Sequence, residues 1–122
     1  MAIHQSGDLN KLSELIQDFC TERDWDQFHT AKDIAIGMVT ESAELLDLFR
    51  FRTPEQVESA VRDPVTREKV SDELADVFYW VIRFAERNDI DLAQALEAKM
   101  IKNRKNYPVE KSRGKNLKYD QY

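Results

Sequence analysis

Glycine, proline and cysteine are scarce in this chain, and long apolar runs are missing. Its 122 residues include three glycines, three prolines and one cysteine. So few turn-forming residues argue against a sheet protein with many tight turns. The single Cys20 excludes an internal disulfide and fits a reducing compartment. The longest apolar run, Val77 to Ile82, is six residues long, far below the roughly 20 of a membrane-spanning helix. Residues 1–8 show no signal-peptide pattern, so we expect a cytoplasmic protein.

The charges are divided unevenly along the chain. Residues 1–98 hold 10 Lys and Arg against 21 Asp and Glu, whereas residues 99–122 hold 8 against 2. An acidic body argues against binding to nucleic acid polymers and suits bound cations. The basic end suits phosphate, the acidic body of a neighbouring subunit, or simply a solvated helix end and tail. The length predicts one domain, residues 1–122, without a second core.

Helical periodicity and capping residues predict an all-α protein, a four-helix bundle with one extra short helix. Each predicted helix begins at a side chain that can accept a hydrogen bond from the first turn. The tail, residues 109–122, has the composition of a disordered segment. The predicted helices are Leu9 to Glu22 after Asp8, Thr30 to Phe51, Pro54 to Val61 after Thr53, Pro64 to Arg87 after Asp63, and Asp91 to Tyr107.

A carboxylate interrupts the apolar stripe of the second helix. Glu41 occupies the place of the missing apolar residue on that face, and Glu44 follows at its edge. A bare carboxylate on a core-facing stripe must be neutralised, hydrogen-bonded or bound to a cation, because removing the charge from water costs several kcal/mol. The stripe comprises Ile34, Met38, Leu45 and Leu48.

The helix predicted over residues 64–87 repeats this pattern with Glu73 and Asp76. Each pair is spaced i, i+3, so its side chains lie on one face of the helix. Packed face to face, the two pairs place four carboxylates around one cavity, for which Mg²⁺ is the natural counter-charge. The alternative is a structural salt-bridge network with Arg50, Arg52 or Arg83. The buried face of this helix is predicted to comprise Val70, Leu74, Val77, Val81 and Ala85.

Other residues suit a nucleotide but have simpler explanations. Lys99 and Asn103 share the inward face of the last helix, where a lysine can meet phosphate and an asparagine can read a base edge. Equally, Lys99 can extend to solvent and Asn103 can satisfy a helix end. His29 has no second ligand nearby, which argues against zinc. Aromatic side chains that can stack on a base, or simply fill a core, are Trp25, Phe28, Phe51, Tyr79 and Trp80.

The acidic pairs are part of a longer series of motifs that resembles the MazG-like pyrophosphohydrolases. That family carries ExxE, a spacer and ExxD, here Glu41/Glu44 and Glu73/Asp76. The likeness is nearest to the deoxycytidine triphosphate pyrophosphatase branch and extends over residues 9–120. The segments that carry it are RDWDQFH, ESAELLDLFRF, DELADVFYWV and KMIKNRKNYP, followed by KY near the end.

The resemblance implies hydrolysis between the α- and β-phosphates of a nucleoside triphosphate, with Mg²⁺, or Mn²⁺ in its place, held by the four acids. It also implies a homo-oligomer, commonly a tetramer built from dimers, with the basic tail folded over a site. Thr40 stands where many MazG proteins have a further Glu, which favours the deoxycytidine triphosphate pyrophosphatase branch. Three positions depart from the animal members of that branch: Ile16 replaces a His, Phe51 a Trp and Trp80 a Tyr, so the base preference is less defined than the reaction. The substrate-binding residues assigned in this way are Trp25, His29, Phe51, Trp80, Lys99, Asn103, Lys111 and Lys118.

Two other functions remain open from the sequence. The same reaction can act on dUTP, dATP or an oxidised or methylated nucleotide. In a different class, the chain is a catalytically silent helical interaction module. The enzyme hypothesis alone predicts Mg²⁺-dependent release of pyrophosphate and its loss when Glu44 or Glu73 becomes Gln.

Overall fold

A computed structural model describes residues 8–121, and these residues are helical without any strand. The all-α prediction is therefore confirmed. No helix in this part of the chain has the length and apolar character needed to cross a bilayer. The expectation about the first residues, the missing signal peptide, falls largely on residues 1–7, outside the described part. The helices are α1 (Leu9–Glu22), α2 (Ala31–Asp47), α3 (Pro54–Arg62), α4 (Pro64–Arg87), α5 (Leu92–Asn106) and α6 (Val109–Ser112), with 3₁₀ turns at Asp26–Phe28 and Tyr119–Gln121.

The five long helices begin at the capping residues that the sequence indicates. Asp8 accepts a hydrogen bond from the Lys11 amide at 2.9 Å, and Thr53 forms a reciprocal capping box with Gln56. Each cap satisfies an amide that the first turn of a helix leaves without a partner. The other three caps are Thr30, Asp63 and Asp91.

Helix α2 ends four residues before the predicted end at Phe51. Amides of residues 48, 49 and 52 donate to carbonyls three residues back, so the chain tightens into 3₁₀-type turns. These turns lead into the extended Thr53, which must start α3 ahead of Pro54. The tail also differs from the disordered segment that its composition indicates, because it contains α6 and a final 3₁₀ turn.

The described chain divides into two compact units, one ending at Asp89 and the other starting at Ile90. In the first unit α4 is central, because α1, α2 and α3 all pack against it. Its most buried side chains are Cys20, Ile34 and Arg83, each without exposed surface. The prediction that residues 1–122 form one domain stays a prediction.

Several apolar side chains of the first unit lie at the surface of the single chain. Leu74, predicted to be buried, is 56% exposed, so this prediction was wrong for the single chain. On α2, the apolar residues beside the main stripe are also exposed. These are Ile36, Val39 and Leu46.

Candidate functional site

The two acidic motifs meet between α2 and α4. Glu41, Glu73 and Asp76 each offer a carboxylate oxygen, and these oxygens lie within 4.8 Å of one another. The carboxyl group of Glu44 interacts with those of both Glu41 and Glu73. All four predicted acids are thus brought to one place, and Glu41 and Glu73 are half-buried there.

Two oxygens of this acidic cluster have no partner. Oε2 of Glu41 and Oε2 of Glu73 are shielded from solvent and form no hydrogen bond. Leaving a buried charged acceptor unsatisfied is costly, so a positive charge is required if both groups ionise. The donor set, carboxylate oxygens alone, matches the preference of Mg²⁺ and other hard cations. The residues therefore fit a divalent metal ion.

The salt-bridge alternative does not hold for these acids within the first unit. Arg50 pairs with Asp47, and Arg83 pairs with Asp26 and Glu86. No ion pair joins any of the four cluster acids to a described residue of their own unit. Arginine side chains of this unit therefore do not neutralise the cluster.

Burial and the neighbouring carboxylates change the acidity of Glu41 and Glu73. The pKa of Glu41 is raised from 4.5 to about 7. Burial is the largest cause, and the neighbouring carboxyl groups of Glu44, Asp76 and Glu73 raise it further. Burial and the charge of Glu44 also raise the pKa of Glu73. The titrations of Glu41 and Glu73 depend on each other, because the ionisation of one opposes that of the other. A bound cation reverses this preference and favours the ionised form.

A cluster of rings around Trp80, called the aromatic cluster below, lies one helical turn from the acids. Its other members are Trp25, His29 and Tyr79. Three pairs of neighbours define how α2 and α4 align: Glu44 with Glu73, Glu41 with Asp76, and Gly37 with Trp80. Because the residue number falls along α2 as it rises along α4, the two helices run antiparallel. The step of four residues from the Glu41 level to the Gly37 level corresponds to about 6 Å along the helix axis. A side chain at Gly37 would displace Trp80, because a Cβ there would lie 2.5 Å from the Trp80 ring. The indole therefore lies directly on the backbone of α2.

Three of the predicted substrate-binding residues meet in this aromatic cluster. The ring of His29 is 5.3 Å from that of Trp80 and 6.1 Å from that of Trp25, centroid to centroid. Tyr79 packs edge-on against Trp80 at 4.9 Å. Phe51 lies elsewhere, 86% exposed after the end of α2, with the Arg50 guanidinium 4.4 Å above its ring.

Sequence reasoning missed the role of Arg83, which it considered only as a partner for the four acids. Arg83 is fully buried on α4 and binds Asp26, Glu86 and His29. Its hydrogen bond lowers the pKa of Asp26, while burial and the Arg83 charge lower the pKa of His29. Arg83 could have been noticed in the sequence because it is a charged residue inside the apolar run VIRFA. Gly37 could have been noticed because it is a glycine inside a predicted helix.

The other four predicted substrate-binding residues belong to the second unit. Asn103 is half-buried on α5 and contacts the Met100 sulfur at 3.7 Å, and Lys99 is exposed one turn earlier. Lys111 lies in α6, and the Lys118 amide donates to the side chain of Gln121. Their roles toward a substrate stay predictions.

Fold and site together define a class: all-α proteins in which two paired helices present carboxylates for a metal ion. The MazG-like family model matches residues 36–121, and the chain belongs to this family. The resemblance drawn from the motifs is thereby confirmed.

Similar proteins carry pyrophosphatase names. The chain is 36% identical over 111 residues to dCTP pyrophosphatase 1 of Bos taurus and 33% identical to that of Homo sapiens. These matches cover 91% of this chain but 66% and 65% of the relatives, so it spans just under two thirds of their length. A solved structure of a pyrophosphatase from Archaeoglobus fulgidus is similar with a TM-score of 0.78 and 27% identity, covering 88% of this chain and 99% of that one.

Proposed function

We propose that this protein is an Mg²⁺-dependent nucleoside triphosphate pyrophosphohydrolase. It converts a deoxynucleoside triphosphate, dCTP or a related or modified dNTP, to the monophosphate and pyrophosphate. The observation that carries the proposal is the pair of buried, partnerless carboxylate oxygens on Glu41 and Glu73 within the acidic cluster. Membership of the MazG-like family and the names of the similar proteins support the reaction type.

The four acids supply the metal-binding part of the mechanism. Mg²⁺, with Mn²⁺ as a substitute, would be held by Glu41, Glu44, Glu73 and Asp76, and when bound it would neutralise phosphate charge and lower the pKa of a water molecule. Water attacks a phosphorus atom, the bond to the oxygen that bridges the α- and β-phosphates breaks, and pyrophosphate leaves. Glu41 and Glu44 are the candidates for the base that takes the proton from water.

The aromatic cluster supplies the nucleoside-binding part. Trp25, His29 and Trp80 offer ring faces and a polar edge one helical turn from the acids, a spacing on the scale of the link from a sugar to its first phosphate. Phe51 adds a further exposed ring. For the second unit we propose that Asn103 contacts the base and that Lys99, Lys111 and Lys118 contact phosphates.

We further propose a homo-oligomer, a tetramer built from dimers. Ile36, Val39 and Leu46 on α2 are 53%, 71% and 62% exposed in the single chain. Covering such adjacent apolar side chains is favourable by about 25 cal/mol per Å². The basic tail then serves its own subunit or the next one.

The test measures pyrophosphate release from a panel of triphosphates with and without Mg²⁺. We expect release that requires the metal, and its near-abolition in Glu44→Gln and Glu73→Gln, because each variant removes a charge that the cation needs. Asp72→Asn is the matched control, since Asp72 is an exposed acid beside Glu73. Ranking dCTP, dUTP, dATP and methylated dCTP by kcat/KM identifies the substrate.

Two results would count against the enzyme. If no triphosphate releases pyrophosphate while circular dichroism shows an intact fold, the chain is a silent helical module. If the Glu variants retain full activity, the acidic cluster is not the metal site.

A further inference from the structure

Arg83 makes three directed contacts from a fully buried position on α4. Its Nη1 donates to Glu86 at 2.6 Å and its Nη2 donates to Asp26 at 2.5 Å. Its Nε donates to Nδ1 of His29 at 3.0 Å. The side chain therefore joins α4 to the connector between α1 and α2 and also fixes one nitrogen of the imidazole ring.

The contact with His29 determines where the imidazole carries its proton. A guanidinium group is always protonated and can only donate. Nδ1 must then accept, so it carries no hydrogen, and the neutral ring holds its single proton on Nε2. The positive charge of Arg83 beside the ring also opposes a second proton there.

The Nε2–H of His29 remains available as a donor. Among the described residues of the first unit, no acceptor is hydrogen-bonded to this nitrogen. The ring that carries it contacts Trp80 and Trp25. Trp80 in turn lies on Gly37, one turn from the acidic cluster. The imidazole N–H thus lies in a group of large aromatic rings near the acids.

We propose that Arg83 is a positioning residue that holds His29 as a neutral Nε2–H donor for an acceptor atom on the nucleoside of the substrate. The inference rests on the proposed function, because it takes the aromatic cluster as the nucleoside site. Arg83 acts through the imidazole and does not touch the substrate. Binding of the nucleoside is the step that depends on it, whereas the acids at the phosphates act independently.

The first experiment determines the tautomer of His29 by long-range ¹H–¹⁵N NMR at neutral pH. The chain has two histidines, so a His4→Gln background leaves a single imidazole. We expect Nε2 protonated and Nδ1 bare in the Arg83 protein. We expect the single tautomer to be lost in Arg83→Lys, which keeps a positive charge beside Asp26 but has no Nε–H. A proton on Nδ1, or an imidazolium, in the Arg83 protein overturns the proposal.

The second experiment measures the Kd of a non-hydrolysable deoxynucleoside triphosphate by calorimetry. Loss of one directed hydrogen bond weakens binding by roughly 5- to 20-fold, so we expect that change in Arg83→Lys with kcat altered by less than about twofold. Arg87→Gln is the matched control, because Arg87 pairs with Asp26 from the same helix. An unchanged Kd in a folded Arg83→Lys protein overturns the proposal.

Variants of His29 keep the test decisive if Arg83→Lys does not fold. A glutamine amide reaches the Nε2 position and can donate there, whereas an asparagine amide reaches only the Nδ1 position. We expect His29→Gln to bind within about threefold of the unaltered protein and His29→Asn to bind about tenfold more weakly. Equal Kd values for the two variants contradict a donor at Nε2.

Substrate analogues identify the acceptor. A pyrimidine triphosphate without the base carbonyl, and one without the sugar hydroxyl, each remove one candidate atom. The analogue that lacks the true acceptor binds His29→Asn and the unaltered protein equally. Failure of the proposed function is distinct, because it removes metal-dependent pyrophosphate release from every form of the protein, including Arg87→Gln.

Discussion

Replacing Glu41 by glutamine should stabilise the metal-free protein at neutral and alkaline pH. Glu41 has a pKa raised from 4.5 to about 7, first because it is buried and then because of the neighbouring acids. A group whose pKa is higher in the folded state favours folding fully below about pH 4.5, and this contribution is lost as pH rises through about 7. At pH 8 the folded chain therefore carries a poorly solvated carboxylate, and the neutral amide of the variant removes that charge.

The size of the effect follows from the change in pKa. A shift of one unit in pKa corresponds to about 1.4 kcal/mol. A pKa of about 7 in place of 4.5 therefore sets an upper limit of about 3 kcal/mol on the gain in folding stability. Solvent reaches one side of the cluster and screens the charges, which leaves about 1–2 kcal/mol. For a chain of this length, that difference raises Tm by roughly 4–8 °C.

The assay is thermal unfolding at fixed protein concentration in EDTA, from pH 4.5 to 8.5. The difference in Tm between Glu41→Gln and the unaltered protein should be near zero at pH 4.5 and reach its plateau above pH 7. Added Mg²⁺ should then raise the Tm of the unaltered protein much more than that of the variant, because the ion binds only a folded cluster. Asp72→Asn controls for the loss of one acidic charge outside the cluster.

Three outcomes would refute the reasoning. The variant could be no more stable than the unaltered protein at pH 8, or the difference could stay constant across the pH range. Alternatively, Mg²⁺ could raise both Tm values equally. Any of these would mean that Glu41 carries no unbalanced charge in the folded protein.

Three further predictions concern packing. Gly37→Ala should lower the free energy of unfolding, measured in urea, by about 1–3 kcal/mol, because the added Cβ displaces Trp80. This loss should outweigh the normal preference of a helix for alanine over glycine. Equal or higher stability would contradict this contact. Asp26→Asn should lower the urea midpoint in the same assay, because the buried Arg83 loses an ionic partner, and an unchanged midpoint would be contrary. Val39→Asp should reduce the oligomer mass measured by light scattering, and an unaltered mass would remove that face from the interface.

Some features of the fold followed directly from the residues. The caps of the five long helices join side chains and amides only three residues apart, so their positions could be read from the sequence. The end of α2 could not, because it depends on turns that lead into the next helix rather than on a stop residue of its own. The exposure of Leu74 was also missed, since a periodic pattern identifies an apolar face but not what covers it.

The sequence by itself determined where the five long helices begin, the two acidic pairs and membership of the MazG-like family, because each depends on residues close together in the chain or on the order of motifs. Only the tertiary structure decided which level of α2 meets which level of α4, and therefore that the acids converge while Gly37 receives Trp80. It alone joined Arg83 to His29, 54 residues away. The physical reason is that such contacts depend on the packing register of two helices, which local hydrogen bonding and periodicity leave undefined.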